Sequence, residues 1–323
     1  MGVCFLRWFN VYGKSKLIHN MSKLFDKKLG VASDQETLTK LKKKFKSFDP
    51  IYVAVSTMTT QHDFRDWLEL VWKQYKPYAD TNFSNEFKIQ FNQRAWELHL
   101  GSTLLNRGYI LEKHNKIGPD FKIPHEGKNV YIEAIAVEKG VSNDKVPKVK
   151  NKVLMDVPEK EMLLRLTAGV KEKHTKYLSY LINGVIQQND PFVIAIDRSP
   201  LEHVDPQIPL IFKCLFAIGY QVLFLRGNKS KTQTEESTWS VRDKINKINN
   251  SEVEMSIFRN PCFEGISAII YCNQNIFNSP KDPKHMGDSF VIVHNPFAKN
   301  PLPYNFFTFG STWVQEGVQV KKI

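Results

Sequence analysis

The chain has 323 residues, of which 42% are hydrophobic, and this is enough apolar material to bury a sizeable core. It carries 45 Lys and Arg against 33 Asp and Glu, so its formal net charge is +12. A chain this basic favours a polyanionic partner, because neutralised phosphates release counterions. No run of about 18 apolar residues occurs, so no helix is expected to span a bilayer.

The N-terminal segment and the cysteines indicate a cytoplasmic protein. Residues 1–20 lack the small-residue cleavage site of a secretory signal, and we expect them to be a disordered leader. The cysteines have no CxxC spacing, which favours reduced packing residues over a zinc site or disulfides. They are Cys4, Cys214, Cys262 and Cys272.

Residues 21–83 are predicted to form a helical subdomain or cover. A lysine-rich helix over residues 38–48 is followed by an extended apolar run at 51–55. Asp63 is a candidate cap for a further helix that ends near Tyr75.

Residues 84–323 are predicted to form an α/β domain with a C-terminal extension. The periodicity predicts a long helix over 86–106, and then strands at 120–123 and 129–137 that are joined by a turn. Later elements alternate: helices at 158–183 and 208–218, and strands at 192–197, 220–225, 267–271 and 290–294. This order predicts a central mixed sheet with helices on both sides, whereas residues after 294 show little regular pattern.

Two carboxylates occupy the two strands that the predicted turn joins. Asp120 begins the first strand, and Glu133 lies in the middle of the second among apolar neighbours. A hairpin would bring both to one end of the sheet, where they repel unless a cation lies between them. Mg²⁺ prefers oxygen ligands and keeps several waters, so two or three carboxylates suffice to hold it. Such a site can activate water against a phosphodiester.

Each acidic residue also has a structural interpretation. Glu133 can form a buried salt bridge with a Lys or Arg. Asp120 can cap a turn, since Gly-Pro-Asp is a common turn sequence. Glu97, on the long predicted helix, can be a surface residue paired with Arg94, although Gly101 one turn later leaves space for a strand or a ligand. On the same helix, Trp96 is expected in the core and His99 at the helix surface.

The segments Gly-Pro-Asp-Phe at residues 118–121 and Tyr-Ile-Glu-Ala at residues 131–134 together resemble the paired motif of the PD-(D/E)XK nuclease superfamily. Glu97 is similar to the first-helix glutamate of many members. The resemblance covers roughly residues 86–197. It implies a restriction-endonuclease-like core and phosphodiester hydrolysis, with Glu97, Asp120 and Glu133 as ligands of Mg²⁺ or Mn²⁺ and DNA as the expected substrate.

The chain departs from the motif at Ile135, where the family has a lysine two residues after the second acid, on the same strand face. Lys173 lies in an otherwise apolar stripe of the helix after Pro158, and a contact with Asp120 and Glu133 would supply the missing ammonium group. The alternative is that Lys173 extends to solvent. Weaker candidates on this side of the domain are Lys122, Arg165, Lys171 and Lys176.

The leading hypothesis is a metal-dependent deoxyribonuclease in which Lys173 orients water or stabilises developing charge. Arg165 and Thr167 are candidate phosphate contacts on the same helix. Ile135 motivates a second hypothesis, a catalytically silent nuclease-like fold that binds nucleic acid or protein. The third is a basic structural or effector protein without a nucleic-acid role, whose acids are salt-bridged.

Overall fold

A computed structural model describes residues 23–25, 29–113, 117–150, 152–205, 207–226, 234–317 and 319–323. The expected leader over residues 1–20 and Cys4 within it lie outside the described residues. The α-helices of the described part are α1 (Gln35–Lys44), α2 (Pro50–Thr57), α3 (His62–Tyr75), α4 (Phe83–Glu86), α5 (Phe91–Asn106), α6 (Glu159–Ile182) and α7 (Leu210–Phe216).

The strands are β1 (Phe121–His125), β2 (Lys128–Ala136), β3 (Phe192–Asp197), β4 (Ile218–Arg226), β5 (Thr234–Val241), β6 (Lys244–Asn246), β7 (Glu252–Glu254), β8 (Ile266–Cys272), β9 (Val291–His294), β10 (Ser311–Glu316) and β11 (Gln319–Lys322). Seven of them form one sheet in the order β1-β2-β3-β8-β9-β10-β11. Strands β2, β3 and β8 are parallel neighbours, as are β9 and β10, and the other pairs are antiparallel. The prediction of an α/β fold with a large mixed sheet flanked by helices is confirmed.

The sheet separates two apolar cores. Alternate side chains of β2, such as Ile132 and Ala134, face α5 and the N-terminal helices, while Tyr131 and Ile135 face α6 and α7. The described residues of the predicted cover share the core of α5, where Tyr52 and Trp72 pack with the phenylalanines of α4 and α5. The helical N-terminal part therefore buries one side of α5, and α6 lies across the sheet from it.

A two-residue turn sets the register of the β1–β2 hairpin. Glu126 and Gly127 both have positive φ angles, 47° and 76°, as a type I′ turn requires. His125 consequently pairs with Lys128, and Phe121 pairs with Ile132. The hairpin prediction is confirmed, although its turn is shorter than the predicted one because β1 continues through Pro124 to His125.

Two predicted elements differ from the observed ones, and two strands of the seven-stranded sheet were not predicted. The run at 51–55, predicted as extended, is helical, because the Asp49 Oδ1 caps the Ile51 amide at 2.7 Å and Pro50 suits the first helical turn. The helix predicted over 86–106 is divided before Phe91, since Gln90 has non-helical φ and ψ angles of −134° and 57°. Strands β10 and β11, in the region with little predicted structure, were missed; both are short, β10 is half-buried and β11 is mostly exposed.

Gly101 of α5 lies where two aromatic rings fill the space that its missing side chain leaves. A Cβ at this position would lie 2.5 Å from Tyr75 Cε2 and 2.9 Å from Phe121 Cε1. Overpacking of this kind costs about 1–3 kcal/mol, so Gly101→Ala should lower the urea midpoint of unfolding accordingly. Ser102→Ala is the matched control, because it removes a buried hydroxyl that has no hydrogen-bond partner. An unchanged midpoint for Gly101→Ala would contradict the packing.

Candidate active site

Asp120 lies directly before β1 and opposite Glu133 in the extrapolated antiparallel register, since Phe121 pairs with Ile132. Its Oδ2 accepts a hydrogen bond from the Ala134 amide at 2.7 Å. Burial raises the pKa of Asp120 well above its usual range, and the charges of Glu133 and Glu97 raise it further. The two strand carboxylates are thus close enough to repel, as the hairpin predicted.

Beyond Ile132, where β2 has no partner in β1 because β1 begins at Phe121, side chains cover the edge of β2. Asp120 accepts from the Ala134 amide, and Gln93 of α5 continues the pattern. Gln93 Nε2 donates to the Ala134 carbonyl at 3.2 Å, and Gln93 Oε1 accepts from the Ala136 amide at 2.8 Å. Gln93 could not be identified from the sequence, because an amide on a helix is a common surface residue.

Glu133 is buried, with 2% of its surface exposed, and its carboxylate has three donors. Oε1 accepts from Lys173 Nζ at 3.1 Å and Lys176 Nζ at 2.8 Å, and Oε2 accepts from the Tyr180 hydroxyl at 3.2 Å. Burial raises the pKa of Tyr180, and the charge of Glu133 raises it further, so the phenol remains a donor. The buried salt bridge that is the structural interpretation of Glu133 and the contact predicted for Lys173 are therefore one and the same interaction.

Lys173 is only 5% exposed, so the alternative in which it extends to solvent is wrong. A buried ammonium group needs a carboxylate, and Lys173 meets Glu133 and, at 3.5 Å, Glu172. The Lys176 side chain is 47% exposed. Burial lowers the pKa of Lys176, but the charge of Glu133 and the hydrogen bond to it, together with smaller contributions from Lys173 and Tyr180, leave the pKa above its usual value. Lys122 pairs elsewhere, with Glu112 at 2.7 Å.

Glu97 is buried on α5, so the alternative interpretation as a surface residue is wrong, although the pair with Arg94 forms. Its Oε2 accepts from Arg94 Nη1 at 2.6 Å, and its Oε1 accepts from the Tyr75 hydroxyl at 3.2 Å. Arg94 also contacts Asp80, at 3.1 Å, and Glu86. Burial raises the pKa of Glu97 to about 7, against the opposing charge of Arg94.

Asp120 and Glu133 provide carboxylate oxygens, the ligand type that Mg²⁺ prefers, although both oxygens of Glu133 already accept from Lys173, Lys176 or Tyr180. A cation relieves their repulsion, and Mg²⁺ needs few protein ligands because it keeps several waters. Within the described ranges, no group of three or more His, Cys, Asp or Glu side chains is close enough to hold a metal ion. Glu97 instead has its own partners, Arg94 and Tyr75. In the described residues, the three predicted carboxylates therefore do not form one ligand group.

Other candidates have different positions from those predicted. Thr167 is fully buried, and its hydroxyl faces Met255 Sδ at 3.8 Å, so its prediction as a phosphate contact is wrong. His99 is buried rather than at the helix surface, and burial lowers its pKa to about 4. Trp96 is a core residue, as predicted, and its indole donates to the Ala195 carbonyl at 3.1 Å.

The raised pKa of Glu97 predicts a pH-dependent stability. The folded pKa of about 7 exceeds the ordinary 4.5, so between these pH values the folded state retains a proton that the unfolded state releases. The stability that this proton contributes to the folded state is present at low pH and is lost as the pH rises to about 7. Glu97→Gln removes this pH dependence, whose slope is at most about 1.4 kcal/mol in the free energy of unfolding per pH unit.

Urea unfolding of wild type and Glu97→Gln between pH 4.5 and 7.5 measures this effect. The stability of the variant relative to wild type should rise across the window. The matched control is Glu36→Gln, at a carboxylate that is 79% exposed. A stability difference between wild type and Glu97→Gln that stays constant with pH would contradict the prediction.

A scan against protein-family models and searches of curated proteins and solved structures find no match to this chain. The resemblance to the PD-(D/E)XK superfamily therefore remains an expectation from the sequence motifs. In the part of the chain that the structure describes, no helix is long and apolar enough to cross a membrane. The cysteines there, Cys214, Cys262 and Cys272, are free.

Proposed function

We propose that this chain is a metal-dependent nuclease of the PD-(D/E)XK type that hydrolyses phosphodiester bonds of DNA. The observation that carries the proposal is the meeting of Asp120, Glu133 and Lys173 from the start of β1, the middle of β2 and α6. Lys173 brings an ammonium group to the strand that has Ile135 at the motif position. The mixed sheet with helices on both faces is compatible with a restriction-endonuclease-like core. The free cysteines suit a cytoplasmic location.

Asp120 and Glu133 would hold Mg²⁺ or Mn²⁺, with Glu97 acting through water or through its charge. When bound, the divalent cation supplies charge neutralisation at the phosphate and a more acidic water. Lys173 directs a positive charge to the same place, where it stabilises the charge that develops on the phosphate oxygens. Gln93 and Asp120 hold the backbone of β2, and Tyr180 holds the second oxygen of Glu133. The net charge of +12 attracts the polyanionic substrate.

The test is cleavage of labelled single- and double-stranded DNA and of RNA of the same sequence, with Mg²⁺ or Mn²⁺ and with EDTA. Asp120→Asn is the matched variant, because its amide carbonyl still accepts from the Ala134 amide while its charge is gone. Wild type should cut DNA only with metal, and the variant should be slower by about 10²–10³-fold. Equal rates for the two proteins would contradict the site.

The saturation of the Glu133 carboxylate favours a second candidate function, a silent nuclease-like fold that binds nucleic acid. Two ammonium groups and a phenol already satisfy both oxygens of this buried side chain, so it is stable without a metal. Purified wild type that binds DNA but never cuts it with any divalent metal would favour this function over the enzyme.

A further inference from the structure

The loop that joins β2 to α6, residues 137–158, contains four exposed lysines, which we call the loop lysines: Lys145, Lys148, Lys150 and Lys152. No Asp or Glu lies between the first and the last of them. In the part of the chain that the structure describes, their ammonium groups contact no carboxylate and form no hydrogen bond. Lys139, the fifth lysine of this loop, differs because it pairs with Glu202 at 2.5 Å. The loop lysines are therefore available to an anionic partner.

The carboxylates of the same loop do not neutralise the loop lysines. Glu138 Oε1 accepts from Asn92 Nδ2 at 2.9 Å, and Asp144 Oδ1 accepts from the Ile248 amide at 2.9 Å. Asp156 is the remaining acid of the loop, and it forms no ion pair with the described residues. The exposed surface of the loop consequently has an excess of positive charge.

Contacts that use no loop lysine fix this loop to the rest of the domain. Arg165 Nε of α6 donates to the Glu138 carbonyl at 2.7 Å. Val146 is buried in the core that α6 and α7 share, with 2% of its surface exposed. His203 Nε2 lies 2.9 Å from the Pro147 carbonyl oxygen. The backbone is thus held against the domain while the ammonium groups extend into solvent.

A second lysine run, in α1, has a structural role that the loop lysines lack. Lys42, Lys43 and Lys44 occupy the last turn of α1, where positive charge complements the helix dipole. Lys40 of the same helix pairs with Glu36 at 2.6 Å. The loop lysines lie outside any helix or strand, so they have no helix end to complement. Their mutual repulsion is relieved by a polyanion.

The loop begins beside the candidate active site. It joins β2, which carries Glu133, to α6, which carries Lys173. Glu133 lies three residues before the last residue of β2, or about 10 Å from it at the rise of a strand. This length corresponds to about three base steps along DNA. A nucleic-acid strand at the start of the loop therefore reaches the acidic pair within a few nucleotides.

The side chains of the loop suit contact with phosphates and not with bases. Residues 137–158 include no Phe, Tyr, Trp or Arg, which are the side chains on which bases stack. Lysine ammonium groups bind phosphates as point charges and read no base sequence. A contact made by the loop lysines thus adds affinity without sequence preference.

An anionic membrane surface is the rival partner, because Val149, Val153 and Leu154 are exposed beside the loop lysines. Loops and helices that lie at a membrane interface are commonly anchored there by Trp or Tyr, and residues 137–158 contain neither. The position of the loop at the end of β2 favours the nucleic acid. Binding to anionic vesicles is therefore one outcome that the experiment must measure.

We propose that the loop between β2 and α6 binds the phosphate backbone of DNA through the four loop lysines, independently of base sequence. The inference rests on the nucleic-acid substrate of the proposed function, and it adds the surface that guides the strand to the acidic pair.

Two variants of equal charge test the loop. The loop variant changes all four loop lysines to Gln, which keeps a polar side chain and removes the charge. The control variant carries Lys40→Gln, Lys43→Gln, Lys44→Gln and Lys46→Gln, at four exposed lysines in and just after α1. That part of the chain packs against the core of α5, on the other side of the sheet from α6. Circular dichroism and thermal unfolding establish that both variants fold.

Binding is measured by fluorescence anisotropy with labelled DNA duplexes of two unrelated sequences, in EDTA and over a range of NaCl concentrations. The loop variant should raise Kd by at least about tenfold at low salt for both sequences. It should also reduce the slope of log K against log salt by about 2–4, since each lost phosphate contact is worth about 0.9. The control variant should change Kd and slope by less than half as much. Co-sedimentation with vesicles of phosphatidylserine and phosphatidylcholine measures membrane binding of the same proteins.

Wild-type affinity and salt slope in the loop variant, or an equal loss in the control variant, would overturn the proposal. So would vesicle binding that the loop variant loses while its DNA binding is unchanged, because the loop would then be a membrane contact. Cleavage by wild type would leave the nuclease intact in these cases. If wild type binds DNA without cutting it in any metal, and the loop variant loses that binding, the nuclease proposal fails while the loop contact stands.

Discussion

Glu133→Ala is expected to lower the free energy of unfolding by about 3–5 kcal/mol, because it leaves the buried ammonium of Lys173 without its main carboxylate. Lys176 should contribute little to this loss, since its half-exposed ammonium can return to water. Lys173 retains only Glu172, whose 59% exposed side chain lies 3.5 Å away. Urea denaturation monitored by tryptophan fluorescence measures the change.

The double variant Glu133→Ala/Lys173→Met provides the control for this explanation. It removes both charges and places an apolar side chain in the apolar stripe of α6, so part of the lost stability should return. A double variant that is less stable than Glu133→Ala would mean that the unpaired ammonium is not the cause. Neither protein should cut DNA, because each lacks the second acid of the proposed site.

Lys173→Met is expected to slow DNA cleavage by about 10²–10³-fold, because it removes a preorganised charge beside the acidic pair. The fold should persist, since Glu133 keeps its contacts with Lys176, at 2.8 Å, and with Tyr180. Lys176→Met is the matched variant: it removes the same group from the same carboxylate oxygen, but from a half-exposed position.

Single-turnover cleavage of one DNA substrate by the two lysine variants separates their roles. A smaller loss for Lys176→Met would support Lys173 as the substitute for the motif lysine. If Lys176→Met loses more activity than Lys173→Met, the assignment to Lys173 is wrong and the half-exposed lysine has the role. Circular dichroism of both variants excludes unfolding as the reason.

The sheet could be predicted because β2, β3 and β8 are buried on both faces, which gives continuous apolar runs in the sequence. The error at residues 51–55 arose because β-branched residues suggest a strand, while the Asp49–Pro50 start signal decides for a helix. Strands β10 and β11 could not be predicted in the same way. Their residues are partly or fully exposed and do not form an apolar run. Pairing with β9 gives β10 its place in the sheet.

The contacts of the candidate site were predictable in part. The hairpin and its turn bring Asp120 beside Glu133, and the apolar stripe of α6 identifies Lys173 as a side chain that needs a partner. Tyr180 was not predicted, since it is an ordinary helix residue until the fold places it against Glu133. Of the partners of Glu97, Arg94 was predicted from its place three residues earlier on α5, whereas Tyr75 depends on a tertiary contact because it is distant in the chain.

The bond between Asp120 and the backbone of β2 has a consequence for comparisons across species. The Asp120 carboxylate occupies the position of a missing strand by accepting from the Ala134 amide. A descendant that had lost catalysis would still need an acceptor there to keep the strand in place. Selection would then preserve an Asp or Asn at this position for stability alone. Persistence of Asp120 would therefore not by itself identify an active lineage.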